Sequence, residues 1–206
     1  MADAPTIVVV GAATRDIDAA NPRGFGLTLA CSDGRAEHNV FAHKPTSTGC
    51  ALLLQRNEWT PAGPMHAALL ANIVHGWSGN GLDVNHDTDV LEFVGNDLQP
   101  TLTSRKLLNV QAKVGRLVLA ANRYGGPDHD REKSFFRDGA YLPPQRWFEQ
   151  TGDTSRLERV QYRDAAHALP ANYLDNLRSR PRQTWDPSLT AAATAASFRR
   201  AFHSAT

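Results

Sequence analysis

The residues IVVVGAATRDIDAANPRGFGLTLA, spanning 7–30, constrain what this chain can fold into more than any other stretch. Ile7, Val8, Val9 and Val10 are β-branched or small and apolar in unbroken succession, the composition of a buried strand. A loop carrying Asn21-Pro22-Arg23-Gly24 follows, and Phe25, Leu27 and Leu29 then alternate along 25–30. Ser32-Asp33-Gly34-Arg35 is a turn signal. Residues 37–42 read as a third strand, with His38, Val40 and Ala42 on one face and Phe41 on the other. The expectation is a three-stranded antiparallel meander over 7–42. A chain of 206 residues that is 41% hydrophobic can bury a real core, and suits one domain with an extension.

The middle of the chain reads differently. Met65, Leu69, Ile73 and Trp77 recur every four residues, and Leu70 and Val74 widen the stripe, so the spacing predicts a helix over 64–77. Pro64 suits its first turn. Residues 82–86 form a short strand by alternation. Carboxylates at Asp87 and Asp89 favour a helix start, predicting a helix over 87–94. A helix over 103–114, a strand over 116–121 and a helix over 128–137 complete the order β-β-β-α-β-α-α-β-α. Residues 50–54 fit a short extra strand or a helical turn. Prolines punctuate the chain beyond about residue 140, and 188–203 is an alanine-rich helical pattern. No internal repeat is read at this level.

Composition bounds the partners. Net charge is +1, yet residues 1–100 carry five Lys/Arg against eleven Asp/Glu (−6), and 101–206 carry seventeen against ten (+7). That asymmetry fits an anionic partner along the second half, or simply an arginine-rich solvated surface. No apolar run reaches the length of a membrane span, and no membrane partner is expected. The N-terminus lacks the basic and apolar segments of a signal peptide, which makes a cytoplasmic location the expectation. Cys31 and Cys50 have no zinc-site spacing.

The element order, with four motifs, resembles ribonuclease H of type 1. Asn21-Pro22-Arg23-Gly24-Phe25-Gly26 looks like that family's NPGxGG[YW]G loop. Residues 60–65 resemble the polar turn and methionine opening its first helix. Asn85-His86-Asp87-Thr88-Asp89 looks like its TDS motif, and Gly126-Pro127-Asp128-His129-Asp130-Arg131 like its GHPxNExAD segment. The resemblance covers roughly 6–139 and implies a ribonuclease H-like α/β fold. That fold has a mixed five-stranded sheet, with three antiparallel strands and two parallel ones, flanked by helices. Residues 140–206 would be a helical C-terminal extension.

The same resemblance exposes a deficit of chemistry. The family holds two divalent metals on four carboxylates, one metal activating water and the other stabilising the leaving oxygen. Here those positions fall on Val10, His66, Asp87 and Lys133, and the family's mobile histidine falls on Arg123. Only Asp87 matches as a metal ligand. The implied function is a catalytically degenerate, nucleic-acid-binding ribonuclease H-like protein, with an RNA/DNA hybrid or double-stranded RNA as its polymer. Asn21, Arg23, Gly24, Arg123 and Lys133 would contact it. Two alternatives stand beside this reading. One is an active endoribonuclease using magnesium or manganese with Asp87, Asp89 and Glu132 as rearranged acids. The other is a scaffold that binds a protein partner. His66 and His86 with Asp87 could also form a transition-metal site. Each has a plainer reading: Asp87 and Asp89 as helix-dipole partners, the histidines and cations as solvated surface, residues 21–24 as an ordinary turn. The opening strand also resembles that of ribokinase-type sugar kinases, but their later glycine motifs are absent, and no P-loop occurs.

Overall fold

Four dipeptides organise the folded chain: His38-Asn39, Ala71-Asn72, Gly95-Asn96 and Ala121-Asn122. In each, the first residue has a positive φ, of 60°, 52°, 68° and 55° respectively. The left-handed residue swings the chain out of one strand and into the next, so each dipeptide is a tight corner. The structure, a computed structural model, describes residues 6–10, 13–15, 26–44, 49–56, 63–100, 106–125 and 131–160. Within them the chain winds as a parallel β-solenoid with three faces.

Five coils each contribute one strand per face. The first comprises β1 (Thr6–Val10), β2 (Ala13–Arg15) and β3 (Leu27–Leu29). The second comprises β4 (Asp33–Glu37), β5 (Val40–Lys44) and β6 (Leu52–Leu54). The third comprises β7 (Met65–Leu70), β8 (Ile73–Trp77) and β9 (Leu82–Val84). The fourth comprises β10 (Thr88–Val94), β11 (Asp97–Gln99) and β12 (Leu108–Val110). The fifth comprises β13 (Val114–Ala120), β14 (Arg123–Tyr124) and β15 (Phe135–Arg137). Like strands stack in register, giving a first sheet β1-β4-β7-β10-β13. The second sheet ends in β17 (Arg156–Leu157) and the third in β16 (Ala140–Leu142). Every strand pair is parallel except β15–β16, among the described residues.

Register turns the sequence pattern into core columns. Ala36, Leu69, Phe93 and Leu119 stack inward on the first sheet. Phe41, Val74, Leu98 and Tyr124 stack on the second, and Leu52, Leu82, Leu108 and Phe135 on the third. All twelve side chains are buried. A like side chain one coil away fills the space each one leaves, so the core is a continuous rod.

The corner asparagines form a second, polar rod. Asn39 donates from its backbone N and its Nδ2 to Asn72 Oδ1, at 3.0 and 2.9 Å. Asn72 does the same to Asn96 Oδ1, at 2.9 and 3.0 Å, and Asn96 to Asn122 Oδ1, at 2.8 and 3.1 Å. Asn122 ends the series on Ser155 Oγ. Each inner amide also donates to a carbonyl of the preceding coil: Asn72 to Ala36, Asn96 to Leu69, Asn122 to Phe93. All four asparagines are fully buried, a cost met by complete pairing.

At one end the rod is closed. A single α-helix among the described residues, α1 (Pro144–Thr151), follows β16 where the first sheet would otherwise take a sixth strand. Pro144 occupies its first turn, and Gly152, at φ 68°, ends it with its N–H on Phe148 O. Trp147 is buried and stacks on Phe135, with ring centroids 4.7 Å apart. Its indole N–H and the Tyr124 hydroxyl both donate to Asp153 Oδ2, at 3.0 and 2.9 Å.

This architecture overturns the ribonuclease H-like expectation. β1 pairs in parallel with β4, β2 with β5 and β3 with β6, so 7–42 is no antiparallel meander. The helix expected over 64–77 is two strands, β7 and β8. A recurrence every four residues is also a multiple of two, so the stripe that suits a helix equally suits an alternating strand. The helix expected over 87–94 is β10, where Leu91 and Phe93 point inward. Of the helix expected over 103–114, residues 108–110 are β12. Of that over 128–137, residues 131–133 are a 3-10 turn and 135–137 are β15. The strands expected near 7–10, 82–86 and 116–121 are present, and 52–54 is a strand. A repeat exists as well. In place of an extension flanking a finished domain, β16, α1 and β17 belong to the solenoid itself. The helical pattern at 188–203 lies outside the described residues.

Candidate functional site: a charged cleft at one corner

Where the chain passes from the third sheet back to the first, four coils line a cleft of about 430 Å³. Arg56 follows β6, Gly63 and Pro64 precede β7, and His86 and Asp87 precede β10. Thr88 and Asp89 open β10, Lys113 precedes β13, and Gly115 lies near its start.

Backbone hydrogen bonds fix this wall. Met65 N donates to Asp87 O at 3.1 Å, and Thr88 N to Lys113 O at 2.9 Å. One Asp87 carboxylate oxygen accepts the Lys113 backbone N–H at 3.1 Å, so this acid locks two adjacent turns together. Thr88 Oγ1 donates to His86 O, and His86 Nε2 lies 3.2 Å from Gly63 O. Asp89 stands 3.5 Å from His66 Nε2 on the neighbouring strand, with both side chains 58% exposed. The strand register shifts between Thr88 and Val90, which turns Asp89 outward. A Cβ on Gly115 would meet Asp89 O at 2.9 Å, so glycine lets the fifth coil approach that bulge.

The structure brings together only part of the expected site. Asp87 and Asp89 share the cleft, and His86 joins them. Glu132 and Lys133 are exposed on the 3-10 turn between β14 and β15. Arg123 lies on the second sheet, where its guanidinium makes a two-pronged bond to Asp97, with both contacts at 2.5 Å. Its role is to neutralise a carboxylate that is only 8% exposed. Asn21, Arg23 and Gly24 lie outside the described residues. No group of three or more His, Cys, Asp or Glu side chains able to hold a metal occurs among the described residues. Arg56, Lys113 and Gly115 were not anticipated; their signal is position, since each neighbours a corner of the coil.

Two other polar clusters bear on stability. Cys31 and Cys50 are both buried and are not joined in a disulfide. Burial, reinforced by the Asp83 carboxylate, pushes the Cys50 thiol far above its ordinary 9.0, leaving it protonated and inert. Asp83 Oδ1 accepts the side-chain amides of Asn80 and Asn109, at 2.7 and 3.0 Å.

Comparison with protein-family models, curated proteins and solved structures finds no match. Among the described residues, no helix is long and apolar enough to cross a membrane. The class that the fold defines is therefore the parallel β-solenoid, and the chemistry must be read from the cleft itself.

Proposed function

We propose that this protein is a β-solenoid binding module whose corner cleft holds a polyhydroxylated chain, in chemical class a saccharide. The observation that carries the reading is the order of charges along the cleft. Arg56, then Asp87 with Asp89, then Lys113 come from successive coils. Coils repeat at about 4.8 Å, so donors and acceptors alternate along the axis. A hydroxyl group both donates and accepts, and can use neighbours of either kind. A phosphate polymer would meet two carboxylates in the same cleft. The ribonuclease H-like resemblance that implies a nucleic-acid partner needs an element order that the solenoid does not have.

Calorimetric titration against a panel of neutral and acidic oligosaccharides tests the reading, with Asp89→Ala and Arg56→Ala beside the unmodified chain. Saturable binding that both variants weaken by tenfold or more, at unchanged thermal stability, is the expected result. Binding to an RNA/DNA hybrid instead, falling steeply with salt, would replace the saccharide with nucleic acid. Hybrid cleavage on adding magnesium or manganese would make the protein a nuclease.

A further inference from the structure

The outer face of the first sheet is a grid, because register holds its outward side chains in three columns across β4, β7, β10 and β13. One column reads Asp33, His66, Val90 and Arg116. The next reads Arg35, Ala68, Glu92 and Val118, and the third Glu37, Leu70, Val94 and Ala120. Asp33, Arg35, His66 and Arg116 are exposed, and the rest are half-buried. Apart from His66, Glu92 and Arg116, the strands β7, β10 and β13 present only alanine, valine and leucine here. Every described strand belongs to one of the three sheets and α1 closes the end of the rod, so no described element is layered on this face. A flat apolar sheet face is the kind of surface that a second sheet covers, at a spacing of about 10 Å.

The charges decide which second sheet fits. Two twofold arrangements would set this face against its own copy. An axis along the solenoid places each strand on its own equivalent, reversed. Arg35 then meets Arg35, Glu92 meets Glu92 and Asp33 meets Glu37, all of like sign. An axis along the strands, passing between β7 and β10, places β4 on β13 and β7 on β10. Asp33 then meets Arg116 and Leu70 meets Val94, and symmetry makes each contact twice. Glu92 lands on Ala68, one coil, or about 4.8 Å, from Arg35. The Arg35 guanidinium holds Glu37 at 2.6 Å and has further donors for a second carboxylate.

We propose that the outer face of the first sheet is a self-association surface, on which a second copy of this chain packs face to face with the order of its coils reversed. Asp33 and Arg116 select this arrangement, and the like-charge contacts exclude the other one. Four strands with three outward positions each cover roughly 20 by 20 Å, about 400 Å² of flat area on each copy. That is small for a specific interface, so the dimer is weak and reversible, with a dissociation constant on the order of 100 μM. This inference is independent of the saccharide reading, because none of these residues lines the cleft.

Sedimentation equilibrium of the full chain tests it between roughly 10 μM and 1 mM, the range that brackets such an affinity. A monomer–dimer equilibrium is expected, weakened by added salt. Asp33→Arg and Arg116→Asp should each weaken the dimer by roughly tenfold or more, because each brings like charges together twice. An equimolar mixture of the two variants should recover it, since every facing pair is then again of opposite sign. Recovery in the mixture also shows that both variants are folded. A monomer at every concentration overturns the proposal. So does a dimer indifferent to either substitution, or a mixture that stays monomeric.

Discussion

Asn96 sits at the centre of the polar rod, and its removal isolates what the rod contributes. Its side chain accepts from Asn72 N and Asn72 Nδ2, and donates to Leu69 O and Asn122 Oδ1. Asn96→Ala deletes all four bonds. At about 1 kcal/mol net for each bond, the loss is about 4 kcal/mol. Two of the groups left behind, Asn72 N–H and Leu69 C=O, are backbone atoms beside a fully buried site. Their desolvation raises the expected cost to roughly 4–6 kcal/mol, most of the margin that holds an ordinary domain folded. Ser155 terminates the rod and accepts only two bonds, from Asn122 N and Nδ2, so Ser155→Ala should cost about half as much, ~2 kcal/mol. Urea denaturation followed by circular dichroism and by fluorescence of the buried Trp77 and Trp147 measures both. Equal effects of the two substitutions, or an Asn96→Ala cost below about 1 kcal/mol, would refute the view that cooperative pairing at this corner holds the coils in register.

Ala71 has φ 52°, a conformation costing a side chain about 1–2 kcal/mol, so Ala71→Gly should stabilise by about 0.5–1 kcal/mol after the entropy of the more flexible unfolded chain is subtracted. Gly95→Ala, at the equivalent corner, should shift the urea midpoint in the opposite direction. Trp147→Ala should cost about 3–5 kcal/mol by opening the capped end of the core, read as a lowered urea midpoint. Alkaline pH should destabilise the protein. Burial, aided by the Asp153 carboxylate, raises the Tyr124 hydroxyl well above 10.0, so its contribution is complete below pH 10 and is lost as pH climbs toward the folded value. Cys50 acts with the same sign from pH 9.0. Tyr124→Phe should flatten only the part of the pH–stability curve that begins near 10.

Strand locations were partly legible in the sequence, whereas strand partners were not. The alternation of Leu27 with Leu29, and of Leu82 with Val84, reports a buried face whichever neighbour it has, so several short strands were recognisable. Pairing is set by what lies one coil away, and the intervals between corner asparagines are 33, 24 and 26 residues. A repeat with such uneven spacing escapes a search for a fixed period. Its trace is an apolar strand, one residue in left-handed conformation and an asparagine, and only Gly95 advertises the middle feature; His38, Ala71 and Ala121 carry it without a glycine. Helices were overread because Met65, Leu69, Ile73 and Trp77 satisfy both periods. Asp87 and Asp89 were singled out for a fold that is absent. Asp87 lies in the cleft as a turn acceptor for the Lys113 backbone N–H, and Asp89 because the bulge opening β10 turns it outward.

The position of the cleft follows from loop lengths. The corner between the first and second sheets takes two residues in every coil from 38–39 onward, because the asparagine rod admits nothing longer. The corner between the third and first sheets carries no such rod. It takes 55–64 between β6 and β7, but only 85–87 and 111–113 in the next two coils. The recess lies where the ends of this long connection stand beside the two short ones. Arg56, Gly63 and Pro64, from the ends of the long one, form one wall, while the short turns carry His86, Asp87 and Lys113. A solenoid can vary that corner without disturbing its core, since each coil's inward side chains contact only neighbouring coils. Among the described residues the first sheet stops at β13, where Leu119 O bonds the Thr154 N–H and α1 closes the core.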